Sequence, residues 1–293
     1  MFVLSFVVID YNQPLQHLIK NALAEDIGDG DHSTLSSVDA GAVGKAVLKI
    51  KEDGILAGVS VAEKIFRYMQ PDILFTAFKK DGDEMHPGDT AFEVKASVYT
   101  ILQCERLVLN CMQRMSGIAT LTRQYTQKLE GYKTRLLDTR KTTPNFRLLE
   151  KEAVKIGGGM NHRFGLYDMI MLKDNHIDYN GGIENAIERA YAYVQQHKPG
   201  LMIEVETRNI DDVKRVMLTG KVNRIMLDNF TPEQIREALQ IIDGKYETEA
   251  SGGINVNNIE AYAATGVDYI SSGAIIHQAR SLDLSLKAII TGN

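Results

Sequence analysis

The sequence predicts an α/β protein, with a β/α barrel, closed or nearly closed, following a smaller α+β region. Three observations carry this. Beyond Gly131, short apolar runs alternate with helical segments, the rhythm of a parallel sheet with crossover helices. Between Gly44 and Val94 the apolar period is two instead, as in half-buried strands. No G-x-G-x-x-G motif is present, and Gly157 to Gly159 do not follow a strand as that motif requires, which excludes a doubly wound dinucleotide fold.

In chain order, residues 1–9 are apolar but lack a positive flank, the first basic residue being Lys20. This suits a short strand or an N-terminal arm, not a signal peptide or membrane span. Leu15, Leu18, Ile19, Ala22 and Leu23 recur at helical spacing. The segment EDIGDGDHST reads as a turn capped by Asp and Ser; Asp29 and Asp31 lack the ligand pattern of a calcium loop. GKAVLKIK alternates, with Lys45, Lys49 and Lys51 on a solvated face, and GILAGV, ILFTAF and TAFEVKA are further strands. A helix over 61–69 and turns at Asp81-Gly82 and Pro87-Gly88 separate them.

From Ser97 to Leu129 the period is helical, with a break expected at Ser116-Gly117. Arg106 and Arg114 share one face of this segment. Cys104 and Cys111 lie two turns apart, about 10 Å along a helix, too far for a disulfide. They read as buried free thiols of a reducing, cytoplasmic compartment.

The barrel strands are TRLLDT, YDMIMLKD, LMIEVET, VNRIMLDN, YETEASGG and VDYISSGA. Of the helices between them, one opens with Thr231 as N-cap, Pro232 at the first turn and Gln234 closing a capping box, and buries Ile235, Ala238, Leu239 and Ile242. Ile183, Ile187, Ala190 and Val194 make the same stripe earlier.

The chain carries a net charge of −5 and a pI near 5.8, which excludes broad binding to nucleic acid or anionic membranes. Anion binding must be local. Arg140, Lys141, His162, Arg163 and Lys173 gather at strand ends or in a glycine-rich turn, and such a concentration of cations destabilises the fold unless an anion neutralises it. In β/α barrels the active site lies at the C-terminal strand ends. There the sequence presents Arg140 and Lys141, Lys173 and Asp174, Glu204, Asp228 and Asn229, Ser251-Gly252-Gly253 and Ser272-Gly273-Ala274. The last two small-residue turns suit phosphate, since glycine lets backbone amides approach an anion and serine adds a donor. Glu204 and Asp228 suit either ribose hydroxyls or Mg²⁺ carried by a diphosphate. Lys173 could form a Schiff base, but His162 and Arg163 beside it look like carboxylate binders.

The motifs DTRKTTP, LEKEAVKIGGGMNHRFGLYD, LKDNHI, IEVET, MLDN and ASGGI resemble, in succession, those of the quinolinate phosphoribosyltransferase family. EDIGDGDHST, KEDGILAG and ERLVLNCMQRMSGIAT resemble it too, so the likeness covers nearly the whole chain. Asn145 departs from the glycine common after TTP, and asparagine tolerates the positive φ of such a turn. The resemblance implies an incomplete β/α barrel (116–275) and an N-terminal α+β open-faced sandwich (1–115) that residues 276–293 rejoin.

It also implies transfer of phosphoribose to quinolinate, with release of pyrophosphate and CO₂, to give nicotinate mononucleotide. Mg²⁺ accompanies phosphoribosyl pyrophosphate, and no organic cofactor is expected. Arg106, from the neighbouring subunit of a homodimer, Thr139, Arg140, His162, Arg163 and Lys173 would bind quinolinate. Lys141 would favour the departing pyrophosphate, and Glu204 and Asp228 would take the ribose or its metal. Ser251, Gly252, Gly253, Ser272, Gly273 and Ala274 would hold the 5′-phosphate. A ModD-type relative of uncertain substrate and a non-catalytic anion sensor are the alternatives.

Overall fold

A computed structural model describes residues 11–289; the strand or arm expected over residues 1–9 lies outside them. The chain forms two compact units. One takes the chain up to Arg123, Thr142–Gly158 and the residues from Ile276 on; the other takes Gln124–Lys141 and Gly159–Ile275.

The first unit begins with α1 (Asn12–Ile27), which buries Leu15, Ile19 and Leu23. The turn expected from EDIGDGDHST lies at Gly28 and Asp29 and leads into a short helix, α2 (His32–Ser37), capped by Asp31, which accepts the Thr34 amide at 3.1 Å. An antiparallel sheet of β1 (Val43–Ile50), β3 (Leu74–Ala77), β5 (Thr90–Ser97) and β12 (Leu284–Ile289) runs in the order β12-β1-β5-β3, and β2 (Gly54–Ile55) pairs separately with β4 (Glu84–Met85). The alternation expected in β1 holds: Ala46, Leu48 and Ile50 are buried, while Lys45 pairs with Glu93 at 2.9 Å. Helix α3 (Val59–Met69) packs Phe66 against Phe75 and Phe92, with ring centroids 6.5 and 6.2 Å away. Its start has no cap of its own. Asp81 supplies one from 23 residues downstream, accepting the Gly58 and Val59 amides at 2.6 and 2.8 Å.

Helix α4 (Val98–Gln127) is continuous, so the break expected at Ser116-Gly117 does not occur. Those residues are small for packing reasons. A Cβ on Gly117 would lie 1.8 Å from the Arg280 carbonyl oxygen, and the buried Ser116 hydroxyl accepts the Ala57 amide at 3.0 Å. Helix α5 (Arg147–Ile156) belongs to this unit although the sequence division at 115/116 puts it in the barrel. The reason is a buried junction. Glu150 accepts Arg114 Nε and Nη2 at 3.0 and 2.9 Å, and Arg114 also donates to the carbonyls of Ile276 and Ala279.

The second unit holds a six-stranded parallel sheet: β6 (Arg135–Leu137), β7 (Ile170–Leu172), β8 (Ile203–Thr207), β9 (Arg224–Asp228), β10 (Glu247–Ser251) and β11 (Tyr269–Ser271), in the order β6-β11-β10-β9-β8-β7. From β7 to β11 successive strands are neighbours, and β6 closes onto β11, so right-handed crossovers put the connecting helices on one side and leave the other face to line an interior. Met160 adds an isolated parallel bridge to Leu137 at the β6 edge, giving a barrel that is incomplete. The helices are α6 (Asp174–Tyr179), α7 (Ile183–His197), α8 (Ile210–Thr219), α9 (Pro232–Ile242), α10 (Ile259–Ala263) and α11 (Ala274–His277), the last running on past Ile275. The capping box at Thr231 forms as expected, with the Thr231 amide donating to Gln234 Oε1 at 2.8 Å. Among the described residues no helix is long and apolar enough to cross a membrane.

Candidate active site

Side chains two apart on a strand share a face. On β9, Ile225 and Leu227 are fully buried in the outer layer, so Arg224, Met226 and Asp228 face the interior. The register pairs Glu204 with Arg224 and Glu206 with Met226. The interior holds two charged groups. Glu204, Arg224 and Glu249 are buried deep, and Lys173, Glu206 and Asp228 stand toward the C-terminal rim, with Met171 in register with Glu204 and Met226 in register with Glu206 and Glu249.

At the rim, Arg140 and Lys141 follow β6, where the Lys141 amide donates to Thr139 Oγ1 at 3.0 Å. Arg163 is half-buried; its Nη1 donates to the Met169 carbonyl at 3.2 Å and its Nη2 lies 3.6 Å from Met171 Sδ. Burial lowers the pKa of Arg163, and the charge of Arg140 lowers it further. Two guanidiniums thus share one mouth. Lys173, at the end of β7, pairs with Glu206 Oε2 at 3.2 Å.

The opposite rim is built from backbone. Gly252 and Gly253 have φ of 94° and 64°. A Cβ on Gly252 would fall 2.2 Å from Asn229 Oδ1, so no other residue fits there. The Asn229 amide donates to the Ser251 carbonyl at 2.8 Å, which ties the ends of β9 and β10. Ser272 donates its hydroxyl to the Ile254 carbonyl at 3.0 Å. The donor expected of it for a phosphate is spent joining the two small-residue turns.

Two further expectations change. Glu204 is wholly buried, so the carboxylate nearer the rim at the end of β8 is Glu206, which the sequence reading passed over and which is itself only 8% exposed and paired with Lys173. Strand alternation in IEVET contained the signal: both glutamates share a face and Glu206 is nearer the C-terminal end. His162 offers no ring nitrogen to a ligand. Its Nδ1 accepts the Arg163 amide at 2.7 Å, and its Nε2 lies 3.1 Å from Glu204 and 3.2 Å from Glu249. Arg106 is exposed on α4, in the first unit, and is not among the residues that the barrel unit gathers.

The deep group is a charge cluster. Arg224 donates to Glu249 at 3.1 Å and to Glu247 at 2.8 Å, with its guanidinium 4.2 Å from the centre of the Tyr269 ring. Burial raises Glu204 to about 6, and the charge of Glu249 adds to this. Burial alone would raise Glu249 as well, but the charge and hydrogen bond of His162 and the charge of Arg224 hold it down to about 2. Burial would lower His162; Glu249 and Glu204 overcome that and raise it to about 9.

For a hard cation such as Mg²⁺, the rim carboxylates Glu206 and Asp228 are the fitting donors, being oxygen ligands open to a diphosphate. The deep set fits poorly. In the neutral ring favoured by the Arg163 amide, and equally in the imidazolium favoured by the carboxylates, Nε2 carries a hydrogen and has no lone pair to give.

Comparison with known proteins places the whole chain in one family. Residues 118–287 match the model of the quinolinate phosphoribosyl transferase C-terminal domain, and residues 31–116 match that of the N-terminal domain. The chain is 41% identical over 288 residues to quinolinate phosphoribosyltransferase [decarboxylating] 2b, mitochondrial, of Nicotiana tabacum, covering 93% of this chain and 82% of that protein. It is 39% identical over 277 residues to the probable nicotinate-nucleotide pyrophosphorylase [carboxylating] of Bacillus subtilis, covering 94% of each. The crystal structure of NadC from Streptococcus pyogenes superposes with a TM-score of 0.87 at 41% identity, covering 94% of this chain and 97% of that one.

Proposed function

This chain belongs to the quinolinate phosphoribosyltransferase family, and from that membership we propose how its rim divides the work. The enzyme joins quinolinate to phosphoribosyl pyrophosphate and yields nicotinate mononucleotide, pyrophosphate and CO₂ for NAD biosynthesis. Arg140, Arg163 and Lys173 grip the two carboxylates of quinolinate. The observation that carries this is the gathering at the strand ends of Arg140, which follows β6, Arg163, which donates to the Met169 carbonyl, and Lys173, at the end of β7, an excess of cations that a dianion between them would offset. Lys141, exposed after β6, favours the departing pyrophosphate. Glu206 and Asp228 take the ribose hydroxyls, directly or through Mg²⁺, which when bound neutralises charge on the diphosphate. The turns Ser251–Gly253 and Ser272–Ala274 hold the 5′-phosphate through backbone amides, Gly252 being supported by its close approach to Asn229.

Two effects dominate the chemistry. The rim aligns the pyridine nitrogen with the anomeric carbon, and its cations stabilise the leaving diphosphate beside an oxocarbenium-like centre. CO₂ then departs from the carbon next to the cationic ring nitrogen, which serves as electron sink, so no organic cofactor is required.

The enzyme works as a homodimer in which Arg106 of one subunit completes the site of the other, a role that the exposure of Arg106 permits. Mixing Arg106→Ala subunits with Lys173→Ala subunits should restore partial activity; no recovery would remove the composite site. A reducing, cytoplasmic setting suits Cys104 and Cys111, both free and buried, with burial pushing each thiol up to about 12. The direct test is incubation with quinolinate, phosphoribosyl pyrophosphate and Mg²⁺. Stoichiometric CO₂ and pyrophosphate are expected, whereas ligand binding without pyrophosphate release would mark an anion sensor.

A further inference from the structure

The chemistry at the rim leaves the deep charge cluster without a task. Buried carboxylates cost desolvation, and apolar residues of similar volume would fill the interior at least as stably. Stability therefore does not account for Glu204 and Glu249, both of which are fully buried.

We propose that Glu204 and Glu249 are positioning residues: acting through the ring of His162, they fix the backbone from which Arg163 reaches the anion site. His162 is held on three sides. Its own amide donates to Asp138 Oδ1 at 2.9 Å, its Nε2 faces Glu204 at 3.1 Å and Glu249 at 3.2 Å, and its Nδ1 receives the Arg163 amide at 2.7 Å. Arg224, bonded to Glu249 at 3.1 Å and lying over Tyr269, anchors the far end of this chain. The Arg163 side chain donates to the Met169 carbonyl and lies against the Met171 sulfur, makes no ion pair among the described residues, and feels the charges of Glu204 and Asp168 against that of Arg140. Its aim is thus set by its backbone, and that backbone hangs on the His162 ring. A metal ion is the competing occupant, since the ligand atoms of His162, Glu204 and Glu249 all lie within 4.8 Å of one another. The hydrogen on Nε2 opposes it, because a metal-bound histidine donates its other ring N–H, whereas Nδ1 here accepts.

The inference rests on Arg163 being a carboxylate grip, so the experiment separates the two. Steady-state KM for quinolinate, KM for phosphoribosyl pyrophosphate and the melting temperature are measured for Glu204→Gln, Glu249→Gln and Arg163→Lys. Glu249→Asp, which keeps the charge but withdraws it from His162, serves should a glutamine variant fail to fold. The expected result is a rise in quinolinate KM of about tenfold in the glutamate variants, with the other KM near wild type, while the melting temperature reports separately the cost of breaking a buried pair. If Arg163→Lys leaves quinolinate KM unchanged, the grip itself is wrong. If Arg163→Lys raises it while the glutamate variants match wild type, the positioning role alone falls. Equal rises in both KM values with a lowered melting temperature would also overturn it, as a merely structural effect. So would a tight equimolar Zn²⁺ site, seen by calorimetry and lost in Glu204→Gln.

Discussion

Glu204 and Glu206 stand two residues apart on β8 and face the same way, yet they meet different worlds. Glu206 is paired at the rim with the half-exposed ammonium of Lys173; Glu204 is sealed among His162, Glu249 and Arg224. The deep group is sealed from solvent and its charges face one another, so a part in holding the site suits them better than contact with a ligand. The rim group keeps its cations in excess, so its charges await a ligand. Depth along the strand, and not residue type, separates holding the site from using it.

The hardest blow to the rim should be Lys141→Ala. Turnover is expected to fall by more than about tenfold, in line with removing a preorganised charge from a developing anion. Pyrophosphate release at saturating substrates measures it, and wild-type turnover would remove the leaving-group role of Lys141.

The contrast between the two groups is sharpest when one kind of change is made in both. Arg224→Met leaves Glu249 short of a buried partner and should cost about 3 kcal/mol of stability. Lys173→Met at the rim should cost under about 1 kcal/mol, while quinolinate turnover collapses. Urea unfolding checks both, and equal losses would mean that the groups do not differ.

A smaller effect separates the two glutamates of β8. Glu206→Gln should raise the KM for phosphoribosyl pyrophosphate by about tenfold and leave that for quinolinate nearly unchanged, the reverse of what Glu204→Gln should do. Identical kinetic profiles from the two variants would erase the distinction of depth.

The mildest test uses pH. The Nδ1 that takes the Arg163 amide accepts only in the neutral ring, whereas the effect of burial is overcome by Glu249 and Glu204, which raise His162 from 6.5 to about 9. If the amide link holds Arg163, quinolinate KM should fall as pH rises towards about 9, and that fall should be absent in His162→Gln. A quinolinate KM with the same pH dependence in both would show that the ring does not hold Arg163.

Much of this was legible beforehand. The β/α rhythm after Gly131, the capping box at Thr231 and the cluster of Arg140, Arg163 and Lys173 at strand ends follow from local pattern, because helix and strand periods are written into neighbouring residues. Asn145, expected to tolerate the turn after TTP, has φ of 62°. The glycine at 117 misled, since its reason is the Arg280 backbone, distant in sequence. The smallness of Gly252 was read correctly as a turn, but the contact with Asn229 that demands it was hidden.

The sequence by itself determined which residue types stand at the strand ends and that their sum is an anion-binding rim. Only the tertiary structure decided that Glu206 pairs with Lys173 near the rim while Glu204 is sealed in, and that the His162 ring stands between the Arg163 amide and the two buried glutamates. The physical reason is that burial and pairing belong to contacts among residues 162, 204, 224 and 249, which the strand order brings together and no local period encodes.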